Sequence, residues 1–456
     1  MQRIAVLDIG KTNAKVVVLD CATGQELAVL KTPNQVLQGP PYPHYDVEKL
    51  WAFFIDALKS FAQTPGFDAI SITTHGAAAV LLDKDGALAL PVLDYEHEYP
   101  LAVREAYAEL RPAFGDTFSP KLSAGLNLGA QLHYQQTLFP DDFAHVHTIM
   151  TYPQYWAWRL TGVAANELTS LGCHTDLWMP QAGNYSALVD RLGIREKMAP
   201  LRSAFDALGP LSSGIAGDIG LATPVPVFCG IHDSNASLLP HLVNREAPFS
   251  VVSTGTWVVS FAVGGDLAGL DPARDTLANV DAYGRPVSSA RFMGGREFEV
   301  LTATVAPPSD AALDAAFHAV IDRQVQILPN VVPGSGPFPG RTMAWLGQAH
   351  DAAESYAAAS LYAALMSDAC LGLIGARGPT LVEGPFANNT HYLTALAALT
   401  GREVVGLAGS TGTALGAALL SGAQLPYAHP EQVFKPGTVD LSGYKSQWNT
   451  NVDRSR

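Results

Sequence analysis

Hydrophobic residues open the chain in two short runs, Ile4 to Leu7 and Val16 to Leu19, separated by the polar stretch Asp8 to Lys15. Aliphatic, β-branched runs of this length on either side of a Gly-containing turn predict strand, turn, strand. A third run, about Glu26 to Lys31, extends the antiparallel edge, and a Pro/Gly-rich loop follows to His44. Asp46 then precedes Val47, Leu50, Trp51, Phe54, Ala57, Leu58 and Phe61, a spacing that gives a capped helix one apolar face. Ala69 to Thr73 predicts a strand ending in Thr74-His75-Gly76, and the runs 77–82 and 87–93 flank Asp85-Gly86 as a hairpin. Further on, 101–138 alternates helical segments with Gly/Pro breaks, Thr148 to Trp158 predicts a short strand and an aromatic helix, and 167–176 a polar loop. Val225 to Cys229 is apolar throughout, a buried strand that enters Gly230-Ile-His-Asp-Ser-Asn235 and an Ala/Leu helix.

At Phe249 the opening pattern returns: an apolar run to Ser253, the turn Thr254-Gly-Thr256, and a second run from Trp257 to Val263. A Gly/Pro loop at 333–340, an Ala-rich helix from Asp351 to Leu373 and the strand Thr380 to Glu383 follow. Gly384-Pro-Phe-Ala-Asn-Asn389 opens the next helix, and the last helix is expected from Ser410 to Leu420. The final ~25 residues read as a loose polar tail. The repeated strand, Gly/Thr turn, strand predicts two related α/β domains, 1–243 and 244–456, in keeping with a length too great for one core.

Composition narrows the classes. With 48% hydrophobic and 15% charged residues the chain can bury sizeable cores, and a net charge of −14 without any basic run argues against a nucleic-acid or anionic-membrane surface. No apolar run is expected to reach the ~18 residues of a membrane span, and with a strand starting so near Met1 no signal peptide is expected. Cys21, Cys173, Cys229 and Cys370 stand far apart without a Cys-x-x-Cys pair, so neither a zinc site nor a disulfide framework is expected, and a reduced, cytoplasmic setting fits. A homodimer is compatible with this composition but not required by it.

The first turn carries phosphate chemistry. Gly10 permits close backbone approach, Thr12 and Asn13 supply donors, Lys15 adds charge, and Asp8 at a buried strand end can hold Mg²⁺ through its waters. The same residue types also make an ordinary polar hairpin tip. Asp233 stands where a buried strand meets a helix, the edge at which open α/β sheets bind ligands, although a plain N-cap would stand there too. Asp94-Tyr-Glu-His-Glu98 mixes hard and soft ligands without a metal-binding spacing and reads as a sugar-facing loop.

In order and spacing these turns resemble the FGGY carbohydrate kinases of the actin-like ATPase superfamily. Asp8-Ile-Gly-Lys-Thr-Asn-Ala-Lys15 is similar to the family's first phosphate motif, Ser253-Thr-Gly-Thr-Trp257 to its second, Glu383-Gly-Pro-Phe-Ala-Asn-Asn389 to its adenosine motif, and Gly230-x-x-Asp233 to the turn of its catalytic aspartate. The chain departs from the family pattern at Ala397-Ala398, where an Ala-Asp pair is usual, at Pro153-Gln154-Tyr155, where Pro-Lys-Asp is common, and around 358–368. The resemblance implies two actin-like (ribonuclease H-like) α/β domains facing across a cleft, with sugar held mainly by the first domain and ATP mainly by the second. It places the phosphates of Mg-ATP between residues 8–15 and 253–257. Position by position, Asp8 would organise Mg²⁺, and Gly10, Thr12, Asn13 and Lys15 would form the first phosphate turn. Gly255 and Thr256 would contact the β- and γ-phosphates, and Gly384 and Asn388 would lie along the nucleotide. His75, Gly76, Tyr95 and His232 would line the sugar, and Asp233 would act as general base.

Ile231 to Ser234 and Ser253 to Trp257 look like rhamnulose and fuculose kinases, whereas Thr74-His75-Gly76 is similar to the Met-His-Gly turn of xylulokinases. L-Rhamnulose or L-fuculose is therefore the expected substrate, with D-xylulose or another pentulose as the alternative. A non-catalytic actin-like nucleotide-binding protein would share the hairpins, but it would not need a carboxylate at 233 or polar loops at 74–76 and 94–98. A hydrolase built on His232, Asp233 and Ser234 would require adjacent residues to converge and has no Gly-x-Ser-x-Gly elbow.

Overall fold

Strand Arg3–Ile9 is the axis of the first sheet. It pairs antiparallel with Asn13–Asp20, which pairs in turn with Glu26–Pro33, and on its other side it runs parallel to Ala69–Thr74. Pro226–Phe228 and Ala207–Pro210 continue the sheet, and Ile231–His232 pairs with the carboxyl end of Ala69–Thr74. Side chains alternate between two cores. Ala5, Leu7, Ile9, Val16, Val18, Ile70 and Ile72 enter one, and Ile4, Val6, Val17, Leu19 and Ala69 enter the other. A sheet covered on both faces is why these runs are apolar without polar alternation. Helices Val47–Gln63 and Tyr152–Thr161 supply Phe54 and Trp156 to the first core, while Asp233–Asn244 and Thr413–Leu419 supply Ala236, Leu239, Ala414 and Ala417 to the second. Asp46 caps its helix through the Lys49 amide at 3.1 Å. A smaller sheet, Leu88–Leu90, Ala79–Leu82 and Thr148–Thr151, completes the 77–93 hairpin.

The computed structural model describes residues 1–303, 308–407, 412–426 and 431–455. It divides into one unit of Met1–Asn244, Ala278–Pro286 and Thr411–Tyr427 and another of Arg245–Leu277, Val287–Ser410 and Ala428–Arg456. In the second unit Phe249–Thr254 pairs antiparallel with Val258–Val263 and parallel with Thr380–Glu383, followed by Val404–Leu407 and Glu431–Phe434. Each sheet thus joins an antiparallel hairpin to parallel crossover strands, the actin-like plan.

Three expectations change. Helix Ala352–Leu373 is long and apolar enough for a membrane span, because its alanines and few charges meet that criterion without bulk; 72% of the window is buried, and Leu361, Ala364 and Leu365 lie in the second unit's core. The polar tail is a strand, Glu431–Phe434, and a helix, Ser442–Arg454, that buries Tyr444, Trp448 and Val452 at every fourth position. Polar neighbours had hidden that stripe. The helix expected from Ser410 is seen from Thr413, and 408–411 lie outside the described residues.

Candidate active site

Asp8 is the penultimate residue of its strand, opposite Lys15 across the hairpin and beside Thr73 on the parallel side. Its buried carboxylate accepts through Oδ2 from the Thr413 hydroxyl at 2.5 Å, and the Lys15 ammonium lies 3.4 Å from the same oxygen. Gly10 closes the turn by donating its amide to the Asn13 carbonyl at 2.9 Å, and the Asn34 side chain donates to the Gly10 carbonyl at 2.8 Å. Thr12 and Asn13 are exposed at the tip, where Asn13 Nδ2 donates to Thr12 Oγ1. One buried carboxylate beside hydroxyls and amides suits Mg²⁺, which takes most of its oxygens from water and phosphate. Among the described residues no group of three His, Cys, Asp or Glu could enclose a metal, the 94–98 loop included.

Strand register brings the remaining residues of the first unit together. Ile231 pairs with Thr73 and His232 with Thr74, so Asp8, His75 and the His232-Asp233 turn emerge from neighbouring strands. The His75 amide donates to the Ile9 carbonyl at 2.8 Å. Burial pushes both imidazoles down to about 4, so they are neutral near pH 7. His75 Nδ1 lies 2.8 Å from the Gly76 carbonyl and so carries the proton, which leaves Nε2 an acceptor. That Nε2 is buried and has no hydrogen-bond partner among the described residues. Gly76 gives room to His232, because a β-carbon there would stand 2.7 Å from His232 Nε2.

Asp233 is the first residue of helix Asp233–Asn244. Its Oδ1 accepts from the Ser234 amide at 2.6 Å and lies 3.2 Å from His232 Nε2. Burial, with a smaller push from the Asp8 charge, raises the carboxyl to about 6, against the opposing influence of His75 and the Ser234 amide. The side chain keeps 30% of its surface exposed, so the shift reflects the walls around it rather than complete removal from water, and a substrate can reach it.

Two residues that local sequence patterns did not single out hold this turn. Gln154 donates to the Cys229 and Gly230 carbonyls at 3.0 and 3.1 Å, which gives the departure at Pro153-Gln154-Tyr155 a structural role. Thr169 Oγ1 accepts from the His232 amide at 3.0 Å and donates to Glu167 at 2.5 Å. Burial raises the Glu167 carboxyl to about 7. Lys11, in the sequence only a member of the turn, forms an ion pair with Asp94, lies 3.4 Å from Glu96, and sits over the rings of Tyr45 at 5.1 Å and Tyr95 at 4.7 Å. His75 packs on the same two rings at 5.0 and 5.5 Å, which sets Tyr95 beside it.

In the second unit Gly255 closes the hairpin by donating to the Trp257 carbonyl at 2.9 Å. A cavity of about 430 Å³ lies there, with Thr254, Gly255, Thr256, Arg296, Tyr356 and Asn389 among its walls, large enough for much of a nucleotide. Gly384 has φ +80°, and a β-carbon would lie 2.0 Å from the Thr254 carbonyl. Asn388 is exposed and off the wall; Asn389 lines it, caps the next helix through the Tyr392 amide at 3.0 Å and donates to Ser360 at 2.9 Å.

The N-terminal domain of the FGGY family of carbohydrate kinases matches residues 3–240, and the FGGY C-terminal domain matches 246–430. A carbohydrate kinase from Novosphingobium aromaticivorans, known by crystal structure, superposes with a TM-score of 0.92 at 39% identity, over 98% of this chain and 100% of that one. L-Fuculokinase of Escherichia coli K12 is 24% identical over 270 residues, 56% of this chain and 55% of its own length. L-Xylulose/3-keto-L-gulonate kinase of the same bacterium is 26% identical over 301 residues, 63% of this chain and 58% of its own. The chain spans little more than half the length of these two curated relatives.

Proposed function

This chain belongs to the FGGY family of carbohydrate kinases, and from that premise we propose that it transfers the γ-phosphate of ATP to a hydroxyl of a ketose, with Asp233 as general base. The observation that carries the proposal is the Asp233 carboxylate: raised to about 6, steadied on one oxygen by Ser234 and His232, and still partly exposed. Phosphoryl transfer asks for position and charge neutralisation more than covalent chemistry. In this reading the ketose lies against His75, Gly76, Tyr95 and His232. Asp233 takes the proton of the attacking hydroxyl on Oδ2 as the new oxygen–phosphorus bond forms and the bond to the β-phosphate oxygen breaks, releasing ADP. Lys15 and the amides at the tip of the turn, beyond the Gly10 amide that closes it, offset charge on the transferred group. Mg²⁺, bound with ATP, would neutralise phosphate charge, and Asp8 would hold it through water. His232 donates to Asp233 Oδ1 because its other nitrogen, 3.4 Å from Asn235 Nδ2, accepts.

We assign sugar binding to residues 1–243 and nucleotide binding to 244–456, with Gly255, Thr256 and Gly384 along the phosphates and Asn389 taking the role expected of Asn388. L-Fuculose or L-rhamnulose is proposed, supported by the resemblance at 231–234 and by L-fuculokinase among the relatives. A pentulose is the second reading, favoured by the His75-Gly76 turn. The proposed setting is cytoplasmic, with sugar and ATP as the partners. ADP release from the purified chain tests the proposal: a ketose should stimulate it well above glycerol or an aldohexose. Equal release with and without sugar would contradict a sugar kinase, and preference for glycerol would contradict a ketose.

A further inference from the structure

Lys11, Tyr45, Asp94 and Tyr95 surround His75, and two acceptor atoms in this group lack partners. The Lys11 ammonium, the Tyr45 hydroxyl at 3.3 Å and the Glu96 amide at 3.2 Å all contact Asp94 through Oδ1; among the described residues, nothing donates to Oδ2. The Asp94 residue is only 7% exposed. His75 is 5% exposed, and its Nε2, an acceptor, is buried without a partner. A ligand that satisfies both atoms must bring hydroxyl donors: His75 Nε2 is buried, where an unpaired acceptor is costly, and Asp94 Oδ2 is not fully buried, so a ligand can meet it. The only cation in the group is already balanced: Lys11 lies between Asp94 and Glu96 and over two ring faces.

We infer that this group is the specificity-determining wall of the sugar site and that it selects a neutral polyhydroxy ketose against a sugar acid, with Asp94 Oδ2 and His75 Nε2 each accepting from a sugar hydroxyl. Lys11 orients Asp94 and does not bind the substrate. A carboxylate placed here would set lone pairs against the lone pairs of Asp94 and would have to draw Lys11 away from two acids. One relative's name covers both a neutral ketose and a keto acid; this wall admits only the first kind. The inference rests on the reading above that the ketose lies against His75.

The test is equilibrium binding to the full chain without nucleotide, by titration calorimetry, with L-fuculose, L-rhamnulose and D-xylulose set against D-gluconate and 3-keto-L-gulonate. At least one neutral ketose should bind about 100-fold more tightly than either acid. Asp94→Asn, which can turn an amide donor toward the ligand, should weaken ketose binding by about 10-fold or more and narrow that preference. Lys11→Met, which keeps the apolar stem over the rings but frees Asp94, should weaken it in the same direction. A sugar acid bound as tightly as the best ketose, no binding of any neutral ketose, or unchanged affinity in a folded Asp94→Asn protein would each overturn the inference. The wild-type comparison needs no variant to fold. Selective ketose binding without ADP formation would leave the inference standing and remove the kinase reading; ketose-stimulated ADP formation with an indifferent Asp94→Asn would do the reverse.

Discussion

Gly76 and His232 occupy complementary space: a β-carbon on residue 76 would stand 2.7 Å from His232 Nε2, the atom that lies 3.2 Å from the Asp233 carboxylate. Gly76→Ala must therefore displace an imidazole that lies between the Asp233 carboxylate and the Asn235 amide, on a backbone whose amide Thr169 holds. The expected result is a 10- to 100-fold fall in kcat/KM for the ketose with ATP affinity held, and a stability loss of about 1–3 kcal/mol from overpacking. Steady-state kinetics and urea unfolding would measure the two effects.

Thr256 lines the second unit's cavity beside the hairpin that Gly255 closes. Thr256→Val removes a hydroxyl while keeping the branched shape, so KM for ATP should rise about 10-fold, the worth of one charge-assisted hydrogen bond, while sugar affinity stays unchanged. Collapse of sugar binding with intact ATP binding would show that the two domains have been given each other's ligands.

Glu167 makes stability depend on pH with a defined sign. Burial raises its carboxyl to about 7, so the folded chain holds this proton more tightly than the unfolded chain does. Between about pH 4.5 and 7 the folded state binds more protons, and its stability falls as pH rises through that window, by roughly 3 kcal/mol in all. Below the window the contribution is flat. Glu167→Gln cannot ionise, so its unfolding free energy should lack this slope, whatever its absolute value. Parallel slopes for the two proteins in denaturant melts from pH 4.5 to 8 would refute the assignment.

What the sequence reveals follows distance along the chain. The two hairpins and the Asp233 turn are legible because each is a local pattern: apolar runs that fill cores on both sheet faces, interrupted by Gly and Thr where the chain turns. The contacts that complete the site are not local. Lys11 meets Asp94 across 83 positions and Asp8 meets Thr413 across 405, and nothing in either residue's neighbourhood names its partner. Gln154 and Thr169 act on the backbone of the turn that leads to Asp233, a role that leaves no spacing to detect. Asn388 and Asn389 are both asparagines on one short turn, and only the cap geometry tells which lines the cavity. The last helix escaped because Tyr444, Trp448 and Val452 are single apolar residues among polar ones.

Turnover by Asp233→Asn decides whether Asp233 is the general base. Wild-type kcat/KM should rise with pH through about 6 and level above it, because the protonated carboxyl cannot accept the sugar proton. Asparagine keeps the shape and can still accept from the Ser234 amide, but it cannot take a proton. Its kcat should fall by about 10²- to 10⁴-fold while ATP affinity and Tm stay near wild type. Near-normal kcat in a folded Asp233→Asn protein would contradict the account.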